Sequence, residues 1–425
     1  MTGGSRELLD QTKDILGKLV SFDTTSRNSN IPIIDYIEDY LGSHGVTATR
    51  VPDETGEKSS LFATIGPEGE AGIGLSGHTD VVLVDGQDWE TDPFQMVEKD
   101  GKLFGRGPCD MKGFLACVLA KVPAYKAQAL KMPIHGVFSY DEEVGCTGVR
   151  PMIGEMGKTI VKPRMVIVGE PSTMTVVDAH KGPVRWSVDV TGRPAHSSLA
   201  PLGVNSIAAA AELIGELGRI EQDLKTAPYD ERFMPPYTTL QVTEINGGTA
   251  SNIVPEHTWF GWEIRAMPGV DPDAIEARLR AKADALLPAM REVAPEADIV
   301  IRRTNDVPAF AADPSGEALA AALKLAGQNE TFAVSYATEA SLFERAGAPA
   351  VVCGPGDIAQ AHTANEWIRL EELEKCLAFL ERVGEGAEAC GLALGCGRCC
   401  AGCGAGGWAC RGAAREMPVS LGDFH

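Results

Sequence analysis

The sequence predicts an α/β protein whose mixed, mostly parallel sheet is interrupted by an inserted α+β domain. Two observations lead to this prediction. Short apolar runs alternate with helical patterns over residues 1–182 and again after residue 306, as is usual for such a sheet. The segment between them has a different order of strands and helices, which indicates a separate folding unit.

Three predicted strands of the first unit lead directly into a side chain that can bind a metal. These strands and side chains are 73–76 with His78, 134–140 with Glu143, and 165–168 with Glu170. Ligands of open α/β sheets bind at the carboxyl ends of the strands, so we expect these side chains to meet in one crevice. Asp110 stands in a glycine-rich turn and begins the next predicted helix, over residues 111–130.

The inserted segment has the element order β-α-β-β-α-β, which is that of a split-βαβ, ferredoxin-like unit. Its predicted strands are 184–190, 239–245, 258–265 and 298–302, and its predicted helices are 204–220 and 271–291. A strand over 350–353 and a helix over 370–382 would then complete the first unit, with hinges near Gly182 and Val307. The predicted domains are 1–182 and 307–384 (two parts of a catalytic domain), 183–306 (the insert) and 385–425 (a disordered tail).

Charge and composition exclude several classes of partner. Among 425 residues, 59 are acidic and 38 basic, and the formal charge of −21 disfavours nucleic acid and anionic membrane surfaces. No apolar run is long enough for a membrane span, and the amphipathic N-terminus lacks the features of a signal peptide. The few cysteines before residue 380 have no disulfide-like spacing, so we expect a reduced, cytoplasmic protein.

The tail over residues 385–425 differs in composition from the rest of the chain. It is rich in glycine and cysteine, and its two C-x-x-C pairs adjoin without the spacer that a zinc finger needs. This composition favours a disordered or out-of-frame segment. The alternative is a thiol- or metal-sensing tail, which deletion of residues 386–425 would test.

Five side chains in separate motifs form a donor set suited to two divalent metals. They are two imidazoles and three carboxylates: His78, Asp110, Glu143, Glu170 and His362. Zinc takes nitrogen and carboxylate oxygen, and a catalytic site leaves one position for water, so the set indicates a two-metal hydrolase. Asp80 could accept the second N–H of His78. The adjacent Glu142 and Glu143 could divide proton transfer and metal binding between them.

From about residue 8 to 383, the sequence resembles the acetylornithine deacetylase and succinyl-diaminopimelate desuccinylase family of two-zinc amidohydrolases. The motifs that carry the resemblance are GHTDVV, GRGPCDMKG, SYDEEVG, VGEPS, GRPAHSS, NIVPE and AHTANE, together with DGQDWETDPF and YATEASLF. The resemblance implies a zinc-peptidase-like catalytic domain, an inserted lid and dimerisation domain, and a cytoplasmic homodimer. It also implies two zinc ions, which cobalt can replace.

The same resemblance implies a role for each matching residue. His78 and Glu170 would bind one zinc, and Glu143 and His362 would bind the other. Asp110 would bridge the two ions, with a cis peptide bond to Met111. Asp80 would orient His78, and Glu142 would act as the general base. His196 is expected to reach the scissile carbonyl, commonly from the partner subunit. Asn252 and Arg265 are expected to hold the substrate carboxylate.

The reaction implied is hydrolysis of an N-acyl amino acid, with N-acetyl-L-ornithine, an intermediate of arginine biosynthesis, as the first candidate. A succinyl-diaminopimelate desuccinylase or a broader N-acyl-amino-acid hydrolase is the alternative. A non-hydrolytic metal-binding protein is an alternative of another class, which the presence of Glu142 beside the expected ligands disfavours.

Overall fold

The computed structural model describes residues 3–389. The cysteine pairs of the tail lie outside these residues. The last helix continues to Ala389, so the predicted start of the tail at residue 385 falls inside a helix. None of the described helices is both long and apolar enough to cross a membrane. All five cysteines in this part of the chain are buried and free.

The described residues form nine helices and sixteen strands. The helices are α1 (Gly3–Val20), α2 (Ile31–Ser43), α3 (Gly113–Ala127), α4 (Val149–Glu155), α5 (Ser206–Leu224), α6 (Pro272–Val293), α7 (Glu317–Ala326), α8 (Ala340–Arg345) and α9 (Leu370–Ala389). The strands of the first unit are β1 (Ala48–Pro52), β2 (Ser59–Ile65), β3 (Ile73–His78), β4 (Val97–Lys99), β5 (Lys102–Phe104), β6 (Ile134–Ser139), β7 (Met165–Pro171), β8 (Val177–His180), β13 (Phe310–Ala311), β14 (Phe332–Val334), β15 (Ala350–Gly354) and β16 (Trp367–Arg369). The strands of the insert are β9 (Gly182–Thr191), β10 (Thr239–Gly247), β11 (His257–Ala266) and β12 (Asp298–Asp306).

The main sheet is mixed, with parallel strands at its centre, which confirms the predicted fold class. Its order is β1-β2-β6-β3-β7-β15-β8-β13, with β14 beside β8, and the run β6-β3-β7-β15 is parallel. Alternate residues of β7 pack into two cores: Met165 and Ile167 into one, Val166 and Val168 into the other. A sheet covered on both faces needs continuous apolar strands, which explains why its sequence lacks alternation.

The insert has its own sheet and its own core. The order β10-β11-β9-β12 is antiparallel throughout, and α5 and α6 pack on one face. Trp186 and Trp262 pair across β9 and β11, and their rings stack with centroids 3.9 Å apart. Arg185 and Ser187 alternate with the buried residues and lie on the open face. This β-α-β-β-α-β order is the predicted one.

The two connections between the units lie side by side. The Val307 N–H donates to the carbonyl oxygen of Pro183 across 3.1 Å. Gly182 packs against the returning segment so closely that a Cβ there would lie 2.3 Å from the nitrogen of Ala309 and 2.5 Å from the oxygen of Val307. A glycine is therefore required where the two segments meet.

Candidate active site

The main sheet brings the five predicted metal-binding side chains to one edge. His78 ends β3, and Glu170 lies inside the neighbouring strand β7, one residue before its end. The sequence had placed Glu170 just beyond its strand, because the apolar run ends at Val168. Glu143 follows β6, and His362 lies in the loop between β15 and β16.

Asp110 occupies a tight turn, Pro108–Lys112, that precedes α3. The helix predicted over 111–130 therefore begins later, at Gly113, and ends earlier, at Ala127. Asp110 and Met111 have non-helical backbone angles and a cis peptide bond between them, as the resemblance implied. The turn directs the Asp110 carboxylate toward the sheet edge, where it meets both imidazoles.

The five side chains form two groups that share Asp110. One group is His78, Asp110 and Glu170; the other is Asp110, Glu143 and His362. The two carboxylate oxygens of Asp110 face different groups, since Oδ1 lies 3.1 Å from His78 Nε2 and Oδ2 lies 3.2 Å from His362 Nε2. This is the geometry expected of a carboxylate that bridges two cations.

The electrostatics of the cluster indicate divalent cations. Glu143 Oε1 and Glu170 Oε1 are buried and have no hydrogen-bond partner among the described residues. Burial, with the nearby charge of Asp110, raises the pKa of Glu143 to about 7 and that of Glu170 well above its usual value. Crowded, buried carboxylates that each keep one oxygen without a hydrogen bond fit a pair of metal ions, with each ion also taking one imidazole nitrogen.

Both imidazoles are held by carboxylates on the side that would face a metal. His362 Nε2 lies 3.0 Å from Glu143 Oε2, and hydrogen bonds to Asp110 and Glu143 raise the pKa of His362 to about 10. Two effects oppose each other at His78: burial lowers its pKa, and hydrogen bonds to Asp110 and Asp80 raise it. The hydrogen bonds outweigh burial, so the pKa of His78 lies well above its usual value. His362 has a φ of +62°, an uncommon conformation that its surroundings must hold in place.

Asp80 contacts His78 mainly through its backbone. His78 Nδ1 lies 2.9 Å from the carbonyl oxygen of Asp80 and 3.4 Å from the carboxylate Oδ1. The carboxylate also accepts hydrogen bonds from the hydroxyl of Ser26 and from the backbone N–H groups of Glu142 and Glu143. The Asp80 carboxylate therefore contacts both the imidazole, as the spacing H-x-D suggested, and the acidic loop.

Glu142 stands beside the cluster without belonging to either group. Burial raises its pKa well above the usual value, and the charges of Glu143 and Asp110 add to this against the opposing charge of His78. The neighbouring Asp141 has a φ of +52° and pairs with Lys58, whose Nζ lies 2.6 and 2.7 Å from its two carboxylate oxygens. Asp141 thus anchors the loop that presents Glu142.

The remaining predicted residues lie in the insert. His196 is exposed, and its Nδ1 lies 2.7 Å from the Ser198 hydroxyl. Asn252 is close to it, since its carbonyl oxygen accepts from the Ser197 N–H across 2.9 Å. Arg265, which contacts Glu263, is at the other end of β11, near the hinge. Within one chain, Asn252 and Arg265 are therefore separated by almost the length of β11, about 26 Å at roughly 3.3 Å per residue.

Two buried acids near the cluster were not singled out by the sequence analysis. Glu339 is 1% exposed, and burial raises its pKa to about 7 although the hydroxyls of Ser139 and Ser76 lie beside it. Glu366 is also 1% exposed and contacts the Asp110 turn. Both stand in motifs that carry the resemblance, YATEASLF and AHTANE, but neither motif indicates burial.

Comparison with known proteins places these residues in a family context. The model of peptidase family M20/M25/M40 matches residues 74–385. An acetylornithine deacetylase of Myxococcus xanthus is 37% identical over 390 residues, covering 88% of this chain and 97% of that protein. An acetylornithine deacetylase of Pasteurella multocida is 32% identical, covering 85% of this chain and 93% of that protein.

Solved structures show the same fold at low identity. An M20 family metallo-carboxypeptidase of Sulfolobus solfataricus matches 89% of this chain and all of its own length, with a TM-score of 0.70 and 17% identity. A dinuclear metal-binding M20 peptidase of Bacillus subtilis matches 89% of this chain and 98% of its own length, with a TM-score of 0.63 and 15% identity. The chain belongs to peptidase family M20/M25/M40.

Proposed function

We propose that the protein hydrolyses the amide bond of an N-acyl amino acid, with N-acetyl-L-ornithine as its first substrate. The observation that carries this proposal is the Asp110 carboxylate, whose two oxygens each face one imidazole, while the carboxyl group of Glu142 lies near His78 and Asp110. The likeness to deacetylases over nearly their full length supports the choice of substrate.

Two divalent ions would be held by the five clustered side chains. His78 and Glu170 would hold one ion, Glu143 and His362 the other, and Asp110 would contact both. Zinc is the metal we propose, and cobalt, which accepts similar ligands, would replace it. Bound there, the ions would polarise the acyl carbonyl and make water a better nucleophile at neutral pH.

Glu142 would move the proton. A base must take up a proton and release it again, and burial raises the pKa of this carboxyl above its ordinary value, which makes its ionised form a better proton acceptor. Glu142 would take a proton from the attacking water and return it to the departing amine. Asp80 would support this step indirectly, because its carboxylate holds the backbone N–H groups of Glu142 and Glu143.

The substrate carboxylate and the oxyanion require groups from the insert. We propose that His196 donates to the oxyanion and that Asn252 and Arg265 hold the carboxylate. Because Asn252 lies before the start of β11 and Arg265 near its end, we infer that one chain does not bring both to the same carboxylate. We therefore propose a homodimer in which His196 and Asn252 of one copy reach the site of the other.

Exposed apolar side chains near His196 support this dimer. Leu199 is 53% exposed, Leu202 63% and Ile253 41%, and they lie on neighbouring segments, since residues 196 and 253 form a β-bridge. Contiguous exposed apolar surface on a domain often marks an interface with another protein. The symmetric arrangement of a two-fold dimer would bury the patch of each copy.

We place the reaction in arginine biosynthesis and in the cytoplasm. Buried, reduced thiols are usual in a reducing compartment, and each of the five described cysteines is free. The competing substrate is succinyl-diaminopimelate, which shares the α-amino-acid carboxylate but carries a longer acyl group.

The first experiment measures release of free amine from N-acetyl-L-ornithine by the full chain, with added zinc or cobalt and after chelation. We expect turnover that depends on metal and returns when metal is restored. Succinyl-diaminopimelate, assayed in parallel, should react far more slowly. Two bound metals without turnover of N-acetyl-L-ornithine would reject the substrate, and failure to bind metal would reject the mechanism.

A second experiment tests whether His196 acts across the dimer. His196→Ala and Glu142→Gln are each expected to be nearly inactive as homodimers. Mixed and allowed to exchange subunits, they should recover about a quarter of wild-type activity, because roughly half of the dimers would be mixed and each would hold one intact site. Without recovery in demonstrably mixed dimers, the proposed exchange of His196 would be wrong.

A further inference from the structure

Glu366 is a buried acid that the reaction described above does not use. It ends the motif AHTANE, four residues after His362, and its side chain is 1% exposed. Its backbone also contacts the glycine-rich turn, since its carbonyl oxygen accepts from the Gly105 N–H across 3.0 Å. A carboxylate this deeply buried needs partners, and those of Glu366 lie in residues 106–110, which lead into the turn that carries Asp110.

Four donors converge on the Glu366 carboxylate. Oε1 accepts from the N–H groups of Cys109 (2.9 Å) and Asp110 (3.1 Å). Oε2 accepts from the N–H of Gly107 (3.1 Å) and from Nη1 of Arg106 (2.8 Å). One side chain therefore defines the backbone path of the turn, and the hydrogen bonds are strengthened by its charge.

The contacts continue from Arg106 to the loop of His362. Arg106 Nη2 donates to Gln87 Oε1 across 2.5 Å, and Gln87 Nε2 donates to the carbonyl oxygen of His362 across 3.0 Å. Asn365, in the same loop, accepts from the Glu90 N–H across 2.8 Å. The motif DGQDWETDPF, which carried part of the sequence resemblance, thus supports the loop of one predicted metal ligand.

We propose that Glu366, Arg106 and Gln87 form a brace that sets the position of Asp110 relative to His362. Glu366 is a positioning residue in this proposal, because it acts through the Asp110 turn. His362 (φ +62°) is held in a backbone conformation that is uncommon for a residue other than glycine and needs support from its surroundings, and the brace contacts both its segment and that of Gly107. This inference rests on the metal site of the proposed function.

The brace should affect the two metal positions unequally. It contacts the segments of Asp110 and His362, whereas no hydrogen bond from Glu366 or Gln87 to His78 or Glu170 is found within residues 3–389. Damage to it should therefore weaken the ion held by Glu143 and His362 more than the ion held by His78 and Glu170. Partners of metal ligands typically change metal affinity by about 10–100-fold when altered.

The test is a competition titration of cobalt against a chelator, followed by absorption spectroscopy, on the full chain and the variant Glu366→Gln. The Gln side chain has nearly the same volume as Glu, but an NH₂ group replaces one carboxylate oxygen. That group cannot accept hydrogen bonds from the N–H donors around Glu366, so the brace loses some of its contacts. We expect the affinity of one of the two binding steps to fall by about 10–100-fold, with an altered cobalt spectrum, and the other step to change less. The kcat should fall while KM stays near the wild-type value.

Glu344→Gln is the matched control. Glu344 is half-buried and accepts a backbone N–H, that of Ala350 across 2.9 Å, at the start of β15, which is the end of the strand away from the loop of His362. Its variant should bind both metals as the wild type does. Gln87→Leu, a change at a half-buried position, should weaken the same binding step as Glu366→Gln, and it serves as the test if Glu366→Gln does not fold.

The outcomes separate the two proposals. If the wild type binds no metal, the proposed function fails and the brace has no role to play. If the wild type binds two ions and both variants bind them with unchanged affinities and spectra, the brace is refuted while the proposed function stands. Equal weakening of both steps would also refute the brace, since it acts on one side of the site.

Discussion

Gly182→Ala tests whether the contact between the two connections sets the position of the insert. The new Cβ would lie 2.3 Å from the nitrogen of Ala309 and 2.5 Å from the oxygen of Val307, both backbone atoms that cannot rotate away. Ordinary contacts require more than 3 Å, so one segment must move by about 1 Å. The hydrogen bond from the Val307 N–H to Pro183 would be stretched.

The expected loss of stability is about 2–3 kcal/mol. Overpacking of this kind typically costs about 1–3 kcal/mol, with somewhat more where backbone must shift, and the reduced freedom of the unfolded chain returns about 0.5–1 kcal/mol. The effect on turnover should be larger, because a 1 Å displacement of binding groups can slow a reaction by about 100-fold. Metal content should not change, since the ligands lie in the other unit.

The assay combines urea unfolding, metal analysis and turnover of N-acetyl-L-ornithine. Gly154→Ala is the control: Gly154 is an exposed helical glycine of α4, and a Cβ there meets no atom within 4 Å. It should raise stability by about 0.5–1 kcal/mol and leave turnover unchanged. The reasoning is refuted if Gly182→Ala unfolds and turns over like the wild type.

Three further predictions concern single residues. Glu142→Gln should lower kcat by about 100–10,000-fold with both metals retained, and a variant that keeps most of its activity would contradict the assignment as a base. Lys58→Met should lower the free energy of unfolding by about 1–3 kcal/mol in urea, because it leaves the half-buried Asp141 unpaired, whereas Lys58→Arg should retain most of it. Burial lowers the pKa of both His135 and His180 to about 4, below the ordinary 6.5, so the unfolded chain takes up protons first as the pH falls. The free energy of unfolding should therefore be highest above pH 6.5 and should decline toward pH 4 by about 3 kcal/mol for each histidine. In urea unfolding at several pH values, His135→Phe should reduce the dependence of this free energy on pH. An unchanged pH dependence would contradict the prediction.

Much of the site could be predicted because the carboxyl ends of neighbouring parallel strands lie at the same edge of a sheet. His78 and Glu143 follow apolar runs that read as buried strands, and parallel neighbours bring their ends to one edge. Glu170 was expected at the same edge, and only its position within the strand was wrong. The sharing of Asp110 between two groups follows from the path of a turn, which spacing alone does not reveal.

Other features depended on contacts between distant segments. Asp80 stands two residues from His78, and its carboxylate also accepts hydrogen bonds from backbone N–H groups more than 60 residues away, which the local spacing does not reveal. Asn252 and Arg265 share a hairpin, yet the length of β11 separates them. Glu366 is far in sequence from the turn that it contacts, and no local pattern indicates such burial.

The adjacent ends of the insert also bear on the order in which the chain folds. Residues 182 and 307 are separated by 125 positions in sequence but pack against each other in the fold. Closing an unstructured loop of that length costs about 4 kcal/mol of chain entropy, and a preformed insert would already hold its ends at the spacing of neighbouring strands. If the insert folds first on its own core, the two halves of the larger sheet meet as though joined by a short turn.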